Sequence, residues 1–159
     1  MIFVTVGMHY QGFERLIKKM DEIAEKIEEK VIMQIGCTKY QPENAEFFDF
    51  VDADEKILDL FKQARVIVSH AGAGTLLVAL SFGKPIIVVP RLKKFGEHVD
   101  DQQLELADVL SEAGKVIAVY DVEKLEEAFK NVDKLAFVNV EKDKKLISFL
   151  KECLRRMEK

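Results

Sequence analysis

The stretch Val66-Ile67-Val68-Ser69-His70-Ala71-Gly72-Ala73-Gly74-Thr75 organises the sequence. Its β-branched start is typical of a fully buried strand, and the glycines behind it allow a sharp turn into an apolar helix at 76–82. Gly72 and Gly74 have no Cβ, so backbone N–H groups at the start of that helix can face an anion, which the helix dipole also favours. The stretch predicts a strand, a phosphate-binding loop and a helix; a plain tight turn is the competing interpretation.

Apolar runs on either side of this stretch alternate between the periodicities of strands and helices. Short strands are predicted at 2–6, 31–35, 47–51, 86–89 and 116–120. Between these strands, apolar residues recur at the spacing of helices, and Asp54 and Asp121 are predicted to cap two of the helices. A last helix is predicted at about 141–157. This alternation indicates an α/β fold, a Rossmann-like parallel sheet with helices on both faces, in a single domain spanning 1–159.

Four loops with glycine or polar residues each follow a predicted strand. They cover 7–12, 36–39, 70–75 and 90–103. Because the carboxyl ends of parallel strands meet at one edge of a sheet, where α/β proteins bind their ligands, we expect these loops to converge. The convergence strengthens motifs that are weak individually.

Composition and charge argue against several classes of protein, including nucleic-acid-binding and membrane-spanning proteins. A net charge of −4 argues against nucleic acid as a partner, since phosphate backbones require a concentrated basic face. No window approaches the roughly 18 apolar residues of a membrane span, and the start of the chain lacks the features of a secretory signal, so a cytoplasmic protein is expected. Cys37 and Cys153 lie far apart without metal-ligand spacing, which predicts two reduced thiols.

Several side chains near the expected edge are candidates for ligand binding. His70 either orients backbone or contacts a ligand, with a role as a base as the alternative. Arg91, Lys93 and Lys94 can neutralise a diphosphate, contact a partner or an anionic membrane surface, or form a solvated charge run. Asp101, Gln102 and Gln103 open a helix, where carboxylates and amides suit sugar hydroxyls, and simple capping explains them equally well. No metal site is predicted, because adjacent carboxylates on a helix point in different directions.

These residues carry a resemblance to a known family. Residues 69–75, the Gly83-Lys84-Pro85 turn, the strand end at Pro90, and Asp101-Gln102-Gln103 followed by Leu106-Ala107 resemble the C-terminal, donor-binding domain of family 28 glycosyltransferases. The chain is similar to the small subunits of two-component enzymes. Examples are the cytosolic subunit of the dolichol-pathway N-acetylglucosaminyltransferase and bacterial polysaccharide subunits of the PssE type.

The resemblance implies one half of a GT-B glycosyltransferase and assigns roles within it. Residues 72–75 would hold the diphosphate of a donor with His70 beside it, and Gln102 and Gln103 would contact the donor sugar. Many relatives carry a glutamate for the ribose hydroxyls where this chain has Val78. Glu97, His98 and Asp100 are the candidates to replace it. The predicted donor-binding residues are Gly7, His70, Gly72, Ala73, Gly74, Thr75, Arg91, His98, Asp101, Gln102 and Gln103, with no catalytic residue and no metal ligand assigned.

The implied function is that of a donor-binding subunit that moves a sugar from a UDP-sugar to a lipid-linked acceptor in polysaccharide or glycan synthesis. Its expected partner is a membrane-anchored acceptor-binding subunit, which would hold the chain peripherally at the membrane and supply the general base; a homo-oligomer is also considered. No cofactor is expected beyond the UDP-sugar substrate. The alternatives are a non-catalytic stabilising or localising subunit and a stand-alone nucleotide-sugar epimerase or hydrolase.

The predicted C-terminal helix carries an apolar stripe of Leu146, Leu150, Leu154 and Met157. Spacing of three to four residues places these side chains on one face of a helix. The stripe can pack inward against the domain or outward against a partner, and the two alternatives have similar weight at this point.

Overall fold

The computed structural model of the chain describes residues 1–134 and 144–157, except for the side chains of Cys153, Leu154 and Met157. Six strands are present in this part of the chain: β1 Ile2–Thr5, β2 Val31–Gln34, β3 Glu46–Phe48, β4 Val66–Ser69, β5 Ile86–Val88 and β6 Ile117–Ala118. The helices are α1 Glu14–Lys26, α2 Asp54–Gln63, α3 Ala73–Ser81, α4 Gln102–Glu112, α5 Leu125–Asn131 and α6 Lys144–Met157.

All strand pairs are parallel, and the strands lie in the order β3-β2-β1-β4-β5-β6. The first three strands extend the sheet in one direction from β1, and the last three extend it in the opposite direction from β4. The order therefore reverses between β1 and β4, and loops that leave these two strands diverge to opposite faces. The predicted α/β fold, a Rossmann-like parallel sheet, is confirmed.

Two hydrophobic layers cover the two faces of the sheet. On one face Ile2, Val4 and Val6 of the first strand segment pack with side chains of α1 and α5. On the other face Phe3 packs with side chains of α2, α3, α4 and α6. Residues of a strand point alternately to opposite faces, and a strand covered on both faces is apolar at every position, as the unbroken run in β4 predicts. Each fully buried aliphatic side chain contributes about 1.5–3 kcal/mol.

Several predicted boundaries require correction. Helix α3 begins at Ala73, three residues before the predicted start, so the glycine loop is already part of its first turn. Asp54 is the first residue of α2 rather than its cap, which is Ala53 without a side-chain bond. Asp121 does cap its turn, since its side chain accepts a hydrogen bond from Glu123 N.

The described part of the C-terminal stripe packs inward. Leu146 and Leu150 of α6 are buried in the core layer that also contains α3. The side chains of Leu154 and Met157, and residues 141–143 at the start of the predicted helix, lie outside the described residues. For Leu146 and Leu150 the intramolecular alternative is therefore the correct one.

Candidate functional site

A cleft of about 700 Å³ opens at the carboxyl ends of β1 and β4, where the strand order reverses. This is the position at which open α/β sheets bind their ligands. Thr5 at the end of β1 and Gln34 at the end of β2 line the cleft, and Thr5 Oγ1 donates a 2.5 Å hydrogen bond to Gln34 Oε1. Three of the four loops expected to converge contribute lining residues: 7–12, 70–75 and 90–103, the last through His98 and Gln103. No residue of the fourth loop, 36–39, belongs to the described lining.

The cleft lining combines apolar side chains with a helix N-terminus. The apolar part consists of Phe50 and Val51, of Ile57, Leu58 and Phe61 in α2, and of Val78 in α3. Ala73, Gly74 and Thr75 in the first turn of α3 also line the cleft, and the N-cap Gly72 has no side chain to bond their N–H groups. Because the first N–H groups of a helix have no partner within it, this turn presents donors and a partial positive charge.

His70 lies between two glycines at the back of the cleft. A Cβ at Gly72 would lie 2.2 Å from His70 Nε2, and a Cβ at Gly7 would lie 2.6 Å from its Cε1, so neither position admits a side chain with the ring in place. Gly7 also has a φ of +70°, which favours glycine. The sequence prediction attributed Gly72 to the close approach of a phosphate. The contact that requires it in the structure is the imidazole of His70.

His70 is electrically neutral at physiological pH. Burial, together with the nearby positive charge of Arg91, lowers the pKa of His70 to about 3. Its side chain is only 7 % exposed, but it still lines the cleft. His70 therefore contributes a polar ring to a ligand, and not a positive charge.

Arg91 is not part of a solvated charge run, and that interpretation is wrong for this residue. Its side chain is fully buried, and its guanidinium donates to the carbonyl oxygens of Val6, Gln11, Gly12 and Glu97 at 2.7–3.2 Å. Burial lowers the pKa of Arg91 to about 10, so it stays charged at neutral pH. Arg91 does not line the cleft, and it joins the loops behind the cleft instead of reaching a diphosphate.

The three candidates at the start of α4, Asp101, Gln102 and Gln103, occupy different environments in the structure. Gln103 is buried and lines the cleft, and its Oε1 accepts hydrogen bonds from Ala71 N and Arg91 N. Gln102 lines a smaller neighbouring cavity of about 80 Å³. Asp101 is exposed, bonds Lys93 N through its Oδ1, and lines neither space. Gln103 thus holds two loops together, and it is the only one of the three that lines the large cleft.

The three candidates to replace the ribose-binding glutamate, which is Val78 in this chain, also occupy different environments. Glu97 is buried, accepts two hydrogen bonds from Arg15 and one from Leu92 N, and does not line the cleft, so its proposed role is wrong. Asp100 holds His98, which does line the cleft. Among the described residues Asp54, at the start of α2, is the one carboxylate in the cleft lining.

Sequence reasoning missed part of the site. His9, Asp54 and the Thr5–Gln34 pair line the cleft but are absent from the predicted set. Thr5 and Gln34 are the last residues of their strands, and a polar residue that ends an apolar strand is the signal that could have found them. His9 lies within a loop that the sequence did single out. Asp54 was seen only as a helix cap.

Membrane-spanning helices and metal sites are both absent from the described part of the chain. None of the helices described is long and apolar enough to cross a bilayer. Within the same residues, no three His, Cys, Asp or Glu side chains gather closely enough to hold a metal ion. The described polar groups that line the cleft are a helix N-terminus, histidines, amides, the hydroxyls of Thr5 and Thr75, and one carboxylate.

Known proteins share both the sequence and the fold. Over 123 residues, 71% of this chain, it is 35% identical to human UDP-N-acetylglucosamine transferase subunit ALG13, and over 70% of the chain it is 30% identical to the mouse protein of that name. The chain spans about a tenth of the length of these relatives. The crystal structure of the glycotransferase of kitacinnamycin matches 98% of this chain and 39% of its own, with a TM-score of 0.63 and 20% identity.

The family assignment follows from the extent of the match along the sequence. The model of the glycosyltransferase family 28 C-terminal domain covers residues 1–157, which includes every strand of the sheet and every loop of the cleft. The resemblance noted in residues 69–75 and 101–107 thus extends over the whole domain. The chain belongs to the glycosyltransferase family 28 C-terminal domain family.

Proposed function

We propose that this chain is the donor-binding subunit of a two-component glycosyltransferase that moves a sugar from a UDP-sugar to a lipid-linked acceptor. Its partner is a membrane-anchored subunit that binds the acceptor. The observation that carries the proposal is the cleft at the β1/β4 reversal, whose lining combines a helix N-terminus with apolar and aromatic side chains. A nucleoside diphosphate has matching parts, since its base is flat and largely apolar and its diphosphate is anionic.

The groups of the cleft can be assigned along such a donor. We assign the N–H groups of Ala73, Gly74 and Thr75 to the diphosphate, and the apolar side chains of Phe50 and Val51 to the base. Asp54 belongs to the same lining, and its carboxylate can accept hydrogen bonds from the two ribose hydroxyls. His70 and Gln103 are further polar residues of the lining. In this assignment Asp54 binds the ribose hydroxyls, a role that the apolar side chain of Val78 cannot fill.

The chemistry of the proposed reaction is electrostatic. When the glycosidic bond to the diphosphate breaks, negative charge develops on the leaving oxygen, and fixed N–H donors at the start of α3 stabilise that charge without reorganising. The family and the printed name of the ALG13 relatives, which calls them transferase subunits, support a transferase. The word subunit in that name supports a partner polypeptide, to which we assign the acceptor and the general base.

Calorimetry tests donor binding directly. We expect the isolated chain to bind UDP and UDP-N-acetylglucosamine with a 1:1 stoichiometry, and inorganic phosphate much more weakly. No heat and no thermal shift with saturating UDP, in the chain and in its complex with the partner alike, would rule out a donor site.

Co-expression with a candidate membrane subunit tests the two-component arrangement. Membranes that contain both polypeptides should transfer labelled sugar to lipid, while either polypeptide alone should not. Turnover by the isolated chain would favour an epimerase or hydrolase instead. The apolar Val78 in the cleft favours one further candidate, a non-catalytic subunit that stabilises a transferase; a complex that forms and is active with a partner when this chain cannot bind UDP would support it.

A further inference from the structure

The cleft lacks the side chains that ordinarily neutralise a diphosphate. No lysine or arginine belongs to the described residues that line it. The groups there that can become positively charged are histidines, and all three histidines of the chain are present: His9, His70 and His98. A nucleoside diphosphate brings at least two negative charges, whereas a helix N-terminus supplies about half of one positive charge.

His70 and Arg91 do not supply the missing charge. The pKa of about 3 keeps His70 neutral across the physiological range. Arg91 is charged, but its guanidinium is bonded to four carbonyl oxygens behind the cleft. His9 and His98 are the remaining candidates, and both are only partly buried.

His9 and His98 form a stacked pair across two loops. Their ring centroids lie 4.6 Å apart with the ring planes 22° from parallel. His9 Nε2 lies 2.8 Å from Gln11 Oε1, and Gln11 Nε2 donates to Gly96 O, so the orientation of the Gln11 amide is set and His9 Nε2 must be the donor. His98 Nδ1 lies 3.1 Å from Asp100 Oδ1 and 3.4 Å from Asp100 N, so this nitrogen is the donor to the carboxylate in one tautomer and the acceptor of the backbone N–H in the other. Each ring therefore keeps one nitrogen able to accept a further proton.

The charges around the pair oppose double protonation in the empty cleft. Burial is the main cause that lowers the pKa of His9, and the positive charges of His98 and Arg91 lower it further, while Gln11 and Asp100 act in the opposite direction. Tyr10 stacks beside His9, and Glu105 and Arg156 lie with His98 around the smaller cavity. Asp54 and the neutral His70 line the shared cleft. A nearby anion would raise the affinity of both rings for a proton.

We propose that the stacked His9–His98 pair is the cation of this site: it takes up one proton from solvent when a diphosphate enters and holds it as a shared positive charge. The inference rests on the proposed function and adds the residues that neutralise the donor. An anion stabilises the protonated form, so the bound state has the higher pKa and binding consumes a proton. Donor affinity should therefore fall as pH rises above neutrality, by at most roughly tenfold per pH unit.

Calorimetry of UDP-N-acetylglucosamine binding in buffers of different ionisation enthalpy counts the protons. This donor is the right probe because its diphosphate is esterified at both ends, whereas UDP ends in a phosphate monoester that itself titrates near pH 6, with a pKa of about 6. At pH 7 we expect an uptake of about 0.5–1 proton per complex. Binding of this donor without net proton exchange would overturn the inference and leave the proposed function intact.

Neutral amides at the two positions assign the proton. His98→Gln and His9→Gln should each remove most of the uptake and weaken binding at pH 6.5 more than at pH 8.5, so that the pH dependence flattens. Lys62→Gln is the matched control, because it removes one exposed positive charge from α2 outside the cleft lining. Unchanged proton uptake in both histidine variants would overturn the assignment.

Nuclear magnetic resonance on the unmutated chain covers the case in which a variant does not fold. Three histidines give three resolvable ring signals. Saturating UDP-N-acetylglucosamine should raise the apparent pKa of the pair and leave His70 neutral throughout. A pair that titrates at the same pH with and without bound donor contradicts the inference, and no binding at any pH from 5.5 to 8.5 removes both the inference and the proposed donor site.

Discussion

Two groups of polar side chains lie at the carboxyl edge of the same sheet, and they differ in where their hydrogen bonds go. The first group lies behind the cleft and connects separate loops, mostly through short hydrogen bonds between side chains and backbone groups. It consists of Arg15, Arg91, Glu97 and Gln103. Inside the cleft, the first turn of α3 presents N–H donors, and the His9–His98 pair lines the same space. Polar groups that are saturated by protein hold the fold, and polar groups that face a cavity are available to a ligand.

The comparison predicts that mutations behind the cleft affect stability first, and that mutations inside it affect binding first. Arg91 shows that the residue type alone does not predict whether a side chain binds a ligand or holds the fold. An arginine beside a phosphate-binding loop suggests an anion ligand, yet this one satisfies four carbonyl oxygens. Its Nε is the buried side-chain nitrogen that remains without a partner among the described residues.

Replacing Arg91 should have the largest effect. Arg91→Met leaves the carbonyl oxygens of Val6, Gln11 and Glu97 without their donor, and breaking a buried charged network costs about 3–5 kcal/mol. Chemical denaturation followed by circular dichroism measures it. Lys94→Met is the control, since Lys94 is exposed and its loss should change the free energy of unfolding by at most about 0.5 kcal/mol. An Arg91→Met chain within about 1 kcal/mol of the parent would show that the network does not hold the fold.

Gln103 should behave as part of the stabilising group although it lines the cleft. Gln103→Ala leaves Ala71 N and Arg91 N unpaired, which should cost roughly 2–3 kcal/mol. Gln103→Glu keeps an oxygen acceptor and should recover much of the loss, while Gln102→Ala, at an exposed neighbour, should leave the free energy of unfolding nearly unchanged. Equal denaturation midpoints for Gln103→Ala and Gln102→Ala would contradict the assignment.

His70 lies between the two groups, and its effect depends on pH. Its folded pKa of about 3 lies below the ordinary value of 6.5, so below pH 6.5 the unfolded chain binds a proton that the folded chain does not. Stability from this group is present above pH 6.5 and is lost as pH falls, by about 2 kcal/mol between pH 7 and pH 5. The free energy of unfolding of the parent should approach that of His70→Gln over this interval. A difference that stays constant with pH would mean that His70 is not held neutral.

The fold could be predicted from the sequence because strand and helix periods are local properties. The buried run 66–69 and the alternation of strands with helices were enough for the parallel sheet and for the edge that holds the cleft. The site was predicted less completely, since it depends on contacts between residues distant in sequence. Arg91 reaches Val6, and Gln103 reaches Ala71, and neither contact has a signal in the spacing of residues. His9 reaches the cleft from a loop and Asp54 from the first turn of α2, and neither residue belongs to a sequence motif that places it there.

Asp54 should have the smallest effect and gives the cleanest separation of binding from stability. Asp54→Asn should weaken UDP binding by about tenfold, equivalent to about 1.4 kcal/mol, since a neutral amide is a poorer acceptor for two ribose hydroxyls. Its effect on the free energy of unfolding should stay within the 0.3–1 kcal/mol that an acidic residue contributes at a helix N-terminus.

Glu55→Gln is the matched control, because Glu55 lies in the same turn of α2 but outside the cleft lining. It removes the same charge, so it should lower the free energy of unfolding by a similar amount and leave UDP binding unchanged. Calorimetry with UDP and with 2′,3′-dideoxy-UDP then completes the test: the parent should lose affinity when the hydroxyls are absent, and Asp54→Asn should not lose it again. Equal losses of UDP affinity in Asp54→Asn and Glu55→Gln would instead mean that the carboxylate acts through the charge of the helix and does not contact the ribose.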